Sequence, residues 1–259
     1  MECTQDREVA VPALAERART LAARSRTATV VAAGTTDRPM PILYQVHRDR
    51  TAVLLLAMDC ALPTLAEVAP GGEVSAMLEL TDVAPVALRE PVRGLLWITG
   101  WLRTLPPDQA RRASLRWAEQ RPDSRLLDVG HTANILWLDP VFAVFSDGEG
   151  TGWLHPAALA DAEPDPFCRL EYAWLRHLEQ YPSDVLRSAV QYRPGARARC
   201  GGRVRPLGVD RLSLRLRIED PDHDRDIRLA FHRPATTPVR LASELYGLLG
   251  CTAAAQNTR

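Results

Sequence analysis

What limits the fold of this chain most is the order of strand-like runs in its first 150 residues. TATVVAAG (27–34) is short, β-branched and stopped by Gly34. Pro41 to Met58 reads as a hairpin, with PILYQV and TAVLLLAM on either side of the polar turn HRDR. VSAMLEL (74–80) and VRGLLWITGWLRTL (92–105) follow, the second long enough for Gly94 and Gly100 to serve as bend or bulge points. ANILWLD and PVFAVFSD complete the set before a turn at Gly148–Gly152. Helical spacing enters at residues 12–26, in a single turn at Leu65–Val68, and at 107–120. In the last of these, Ala110, Ala113, Leu115, Trp117 and Ala118 alternate with Arg111, Arg112, Arg116 and Glu119. A parallel sheet needs a crossover, usually a helix, between successive strands. The order here is instead that of an antiparallel barrel with helical inserts.

ALADAEPDPF (158–167) reads as a linker by composition. Beyond it, Phe167, Leu170, Trp174 and Leu178 make one face of a helix, with Asp165 as N-cap and Pro166 in the first turn. A second helix is predicted from Ser183. RLSLRLRIED and DIRLAFH alternate as a hairpin around the acidic loop EDPDHDRD (219–226). Pro238 opens a last helix, with Leu241, Leu245 and Leu248 inward and Gly250 as its stop. The expected architecture is therefore α+β: a six-stranded antiparallel barrel domain over 1–160 and a small α+β domain over 165–250.

Composition removes several chemistries. The chain has 259 residues and no net charge, so no overall field draws it to nucleic acid or to a membrane. All 32 basic residues are arginine. A pyridoxal-phosphate Schiff base, a Walker-type phosphate loop and a kinase nucleotide site each require a lysine and are excluded. The five cysteines, Cys3, Cys60, Cys168, Cys200 and Cys251, form no CxxC pair, so zinc-ribbon and thioredoxin readings fail. Scattered thiols, an N-terminus without a signal peptide and the absence of any run of about 18 apolar residues lead us to expect a cytoplasmic protein. No GxSxG, HExxH or GxGxxG occurs.

The element order, the linker ADAEPDPF and the helix LEYAWLRHLEQYPSDV resemble one branch of the pyridoxamine-phosphate-oxidase-like, FMN-binding split-barrel superfamily. In that branch a small domain of unknown function follows the barrel. It includes the HugZ-type heme oxygenases and the plant glutamyl-tRNA-reductase-binding proteins. The resemblance covers roughly residues 12–250. It implies a homodimer paired through the barrel strands, with heme, or FMN or a deazaflavin, at the dimer interface. It also implies either heme degradation or a non-catalytic regulatory role in tetrapyrrole metabolism, with flavin-dependent oxidoreduction as a further alternative. In flavin-binding relatives a serine and a basic residue hold the phosphate; the matching stretch MDCALPTLAE offers Thr64. Where heme-degrading relatives carry an arginine after the long helix, this chain has Trp137 in ILWLD, and its tail CTAAAQNTR carries no histidine.

The cofactor-binding candidates are His131, His177, Arg103 and Thr64. His131 lies in the loop DVGHTAN and could bind heme iron or hydrogen-bond a ligand; a surface histidine is the plainer reading. His177 sits at the edge of an apolar helix face and reads equally as an interface residue. EDPDHDRD could be imagined as a metal site, but its composition is that of a solvated turn, and no metal is expected. RPGARARCGGRVRP (193–206) clusters five arginines and the strand 211–217 adds more. They could hold propionates, RNA phosphates or an acidic partner, yet aromatic residues between them are sparse, so nucleic acid is not expected as a partner.

Overall fold

The computed structural model describes residues 10–191 and 202–256. These fall into two compact units. One spans residues 14–82 and 94–164. The other takes in residues 83–93, the described residues from 165 onward and those before Leu14. The stretch 83–93 that joins two barrel strands thus groups with the C-terminal part of the chain.

The first unit is a curled antiparallel sheet. Its strands are β1 (Thr27–Ala32), β2 (Leu43–Val46), β3 (Ala52–Ala57), β4 (Val74–Val83), β5 (Val92–Thr104), β6 (Ala133–Asp147) and β7 (Gly150–Leu154). Six of them run in the order β1-β4-β5-β6-β3-β2, and β7 adds to β6. The end strands approach through single contacts: Val30 N donates to Pro39 O at 2.9 Å, and Tyr44 Oη donates to Ser25 O at 2.7 Å. Burial pushes the Tyr44 hydroxyl up to about 12, against the opposing effect of its hydrogen bond to Ser25. Because this value is raised, the contribution is whole below the ordinary tyrosine range and is lost only as pH climbs through about 12.

Inside the curl, Leu54, Leu56, Leu78, Leu96, Ile98 and Leu136 meet α1 (Leu14–Arg24) and α2 (Leu62–Val68) in one core. On the outer face, α3 (Pro107–Gln120) lays Ala110, Ala113 and Trp117 over Val53, Leu55 and Ile135. β3 is therefore buried on both faces, which is why TAVLLLAM reads as a continuous apolar run.

Two expected strands, ANILWLD and PVFAVFSD, are one strand of 15 residues, β6. It pairs with β5 over 136–147. Its other edge serves β3 over 133–138 and β7 over 143–147. The change of neighbour falls at Pro140, which faces Gly100 where the register shifts. Proline has no N–H to donate, and a Cβ on Gly100 would lie 2.0 Å from the Asp139 carbonyl oxygen.

The second unit holds α5 (Glu171–Glu179), α6 (Ser183–Gln191), β8 (Arg203–Val209), β9 (Ser213–Glu219), β10 (Asp224–Ala230) and α7 (Pro238–Gln256), while the short α4 (Pro156–Asp161) belongs to the first. The sheet order is β10-β9-β8. Leu214, Leu216 and Ile218 of β9 enter the core with Leu175, Leu178, Leu241 and Leu245, as the alternation and helical spacing predict.

Several expectations are corrected here. The sheet has three strands, because β8 runs through Arg203, Arg205 and Pro206 of the expected arginine cluster; Arg193, Arg197 and Arg199 lie outside the described residues. As an edge strand β8 tolerates Pro206. Gly208 gives room to Arg215, whose guanidinium would sit 2.5 Å from a Cβ there. Part of the linker is helical: α4 begins behind His155, whose Nδ1 accepts from Ala157 N. Asp165 does not cap the helix. Its carboxylate accepts from Phe167 N and Arg211 N and holds a separate turn, and α5 starts only at Glu171. The last helix passes Gly250 and ends at Gln256. Among the described residues no helix is long and apolar enough to cross a membrane.

The second unit is pinned by an ion pair removed from water. Arg93 and Glu171, each side chain 3 % exposed, meet at 3.0 Å. Arg93 also donates to Leu207 O, and Glu171 accepts from Val209 N, so both charges reach β8. Glu171→Ala leaves the Arg93 charge buried and should cost about 3–5 kcal/mol in chemical denaturation. Arg93→Met with Glu171→Leu should cost clearly less. Equal losses would mean that the desolvated charge is not what matters. Gly100→Ala should cost about 3 kcal/mol by the same assay, whereas Gly247→Ala, whose Cβ meets open space, should be neutral or stabilising.

Candidate functional site

The site grows from two elements. α3 buries Ala110, Ala113 and Trp117, so its opposite side must face solvent. Gln109, Arg112 and Arg116, spaced by three and four, form one stripe along that helix. In the sheet, Arg103 of β5 and Trp137 of β6 are direct cross-strand partners. The Arg103 guanidinium carbon lies 5.6 Å from the indole centroid, within cation–π range. Together with Leu105 and Leu115 these side chains line a cleft of about 520 Å³, a size ordinary for a small-molecule site.

The cleft is basic and flat-walled. It has three guanidiniums and no carboxylate among its lining residues. Many arginines elsewhere are paired with carboxylates, among them Arg17 with Asp147, Arg24 with Asp82, Arg217 with Asp226, Arg225 with Asp220 and Arg228 with Asp210. Arg103, Arg112 and Arg116 have no ion-pair partner among the described residues. Arg116 does act on His47, which burial holds below the ordinary histidine range; Arg19 and Arg116 add to that effect and Asp49 opposes it.

Of the four candidates read from the sequence, only Arg103 lines this cleft. Thr64 is exposed on α2. His131 is exposed in the loop before β6, its N–H donating to Asp128 O at 3.0 Å. His177 is exposed on α5 in the other unit, edge-on to Trp174 and Tyr181 at centroid distances of 6.4 and 5.4 Å. Sequence reasoning placed Arg112 and Arg116 on a helix and Trp137 on a strand without joining them. The available signal was the spacing of Gln109, Arg112 and Arg116 opposite the apolar face. Three of the five carboxylates of the 219–226 loop are held by arginines, Asp220 by Arg225, Asp224 by Arg89 and Asp226 by Arg217. The same pairs neutralise much of the basic face on β9 and β10.

Next to the cleft, the outer face of β5, β6 and β7 is apolar and open. Trp101 is 46 %, Phe142 42 % and Trp153 71 % exposed, and Arg103 follows Trp101 by two residues on the same face.

No protein-family profile matches the sequence, and no curated protein matches it. Among solved structures, a heme binding protein from Mycobacterium smegmatis aligns with 95 % of this chain and 100 % of its own, at 20 % identity and a TM-score of 0.56. The FAD and heme binding protein from the same organism aligns with 54 % of this chain and 80 % of its own, at 16 % identity and a TM-score of 0.35. The general stress FMN/FAD binding protein from Xanthomonas citri aligns with 52 % and 89 %, at 16 % identity and a TM-score of 0.34. The chain has the split-barrel fold expected from its sequence, with a second α+β unit.

Because Arg112 and Arg116 are exposed and have no ion-pair partner among the described residues, Arg112→Ala and Arg116→Ala should each leave folding stability within about 0.5 kcal/mol of wild type. A large drop in thermal midpoint for either would assign it a structural role.

Proposed function

We propose that this protein binds a planar, negatively charged cofactor of the heme or flavin class in the cleft between α3 and the β5–β6 pair. The observation that carries the reading is the set of three unpaired guanidiniums around an indole face. Guanidinium binds carboxylate or phosphate in a two-point fork, and Trp137, Leu105 and Leu115 give a flat conjugated partner apolar contact. Heme has two propionates and a large ring; a flavin mononucleotide has a phosphate and a smaller ring. Heme ranks first, because a heme binding protein from Mycobacterium smegmatis aligns with 95 % of this chain at a TM-score of 0.56.

The residues fit the acid groups and the ring. They do not fit iron: the lining holds no histidine, cysteine, methionine or tyrosine. It also offers no carboxylate or imidazole for proton transfer. This lining favours binding over heme degradation, and the role we propose is that of a non-catalytic regulatory or binding protein of tetrapyrrole metabolism. When bound, either cofactor would bring its own redox chemistry; this chain contributes the charge and the stacking surface. We further propose that a second copy covers the open face of Trp101, Phe142 and Trp153, giving a homodimer with its ligands beside the interface, since an aromatic patch of this kind marks a protein contact.

Titration with iron(III) protoporphyrin IX and with FMN tests the reading by tryptophan fluorescence. Binding of one of them, weakened about tenfold or more by Arg112→Ala or Arg116→Ala, is expected. No quenching by either, or binding that both substitutions leave untouched, would remove the cleft as a ligand site.

A further inference from the structure

Taking the cleft as the ligand site, we infer that the protein recognises a tetrapyrrole by its acid groups and ring face and is indifferent to the metal at the ring's centre. The seven lining side chains present guanidinium, amide, indole and aliphatic surface. Proteins hold porphyrin iron through imidazole, thiolate, thioether or phenolate, and none of these is among them. The histidines are committed or placed elsewhere. His155 caps α4, His177 stands on α5 in the other unit, and His131 is held by its backbone in the loop before β6. His223 lies in the β9–β10 loop, and His232 follows β10, its N–H bonded to Glu244. His47 feels the charge of Arg116 but does not line the cleft.

What remains is recognition of the macrocycle's periphery. Arg112 and Arg116 stand one helical turn apart, and Arg103 reaches in from the sheet, which suits a ligand with two carboxylates at one edge. Trp137, Leu105 and Leu115 supply apolar contact to the ring whether or not its centre is filled. Coordination contributes nothing in this arrangement, so a metal-free ring loses nothing by lacking the ion.

The test compares four ligands on the full-length protein by tryptophan quenching: protoporphyrin IX, its zinc and iron(III) forms, and protoporphyrin IX dimethyl ester. The three free acids should bind within about threefold of one another and the ester at least about tenfold more weakly. Arg112→Ala and Arg116→Ala should weaken all three acids alike, and His47→Ala and His131→Ala should leave the iron form's affinity and absorption spectrum unchanged. Iron protoporphyrin binding about tenfold or more tighter than the metal-free ring, with that preference lost in a histidine variant, overturns the inference and leaves the cleft as a ligand site. An ester that binds as well as the acid overturns it too, as does binding of FMN with no porphyrin. Failure of every porphyrin and of FMN removes the site itself.

Discussion

The barrel unit depends on the point where Pro140 of β6 faces Gly100 of β5. A strand of 15 residues would ordinarily offer each edge to one neighbour. Here the register shifts at this pair, and the same edge of β6 serves β3 before it and β7 after it. Pro140 can sit there because a ladder hydrogen bond need not be made at the shift. Gly100 must sit there because any side chain would enter the Asp139 carbonyl. The two halves of β6 then meet different fates. The outer face of the first is roofed by α3, and that of the second keeps Phe142 in solvent beside Trp101 and Trp153. Arg103 and Trp137 pair on the first half, where the edge of α3 can face them.

Arginine does two kinds of work in this lysine-free chain. In the C-terminal unit it builds structure. Arg93 joins Glu171 to β8, Arg217 reaches both Asp226 and Glu90 O, and Arg205 meets Glu179. Such planar forks lock two or three acceptors in fixed geometry, which a lysine cannot do. In the cleft the same group has no carboxylate partner among the described residues. The difference lies in neighbours: α3 has Ala113, Ser114 and Leu115 between its cleft-lining arginines, and the strand partner of Arg103 is an indole rather than a carboxylate.

Much of the fold was legible because pattern and burial coincide. The helix at 107–120 ends at the residues its spacing predicts, and the alternation of Leu214, Leu216 and Ile218 is the core side of β9. The misses have physical causes. β7 is GTGWL, with two glycines and little β propensity, and it exists because the bent β6 leaves an edge for it. β8 carries Pro206 and Gly208, which read as breakers, yet the edge position and the space needed by Arg215 make both acceptable. Gly250 failed as a stop because a glycine in a helix costs only about 1 kcal/mol. The site was harder. Arg103 and Trp137 lie on either side of the helix stripe in sequence, and only the register of β5 against β6 shows that they meet.

That register also fixes the character of the cleft. A guanidinium keeps its charge across the whole physiological pH range. Stacked on Trp137, Arg103 starts in a defined orientation and gives up less side-chain freedom on meeting an acid group than a free arginine would. The neutral indole and the leucines add contact without preference for charge at the ring centre. On the proposed reading, selectivity in such a site would rest on an acid edge and a flat face, two features that heme and a flavin share.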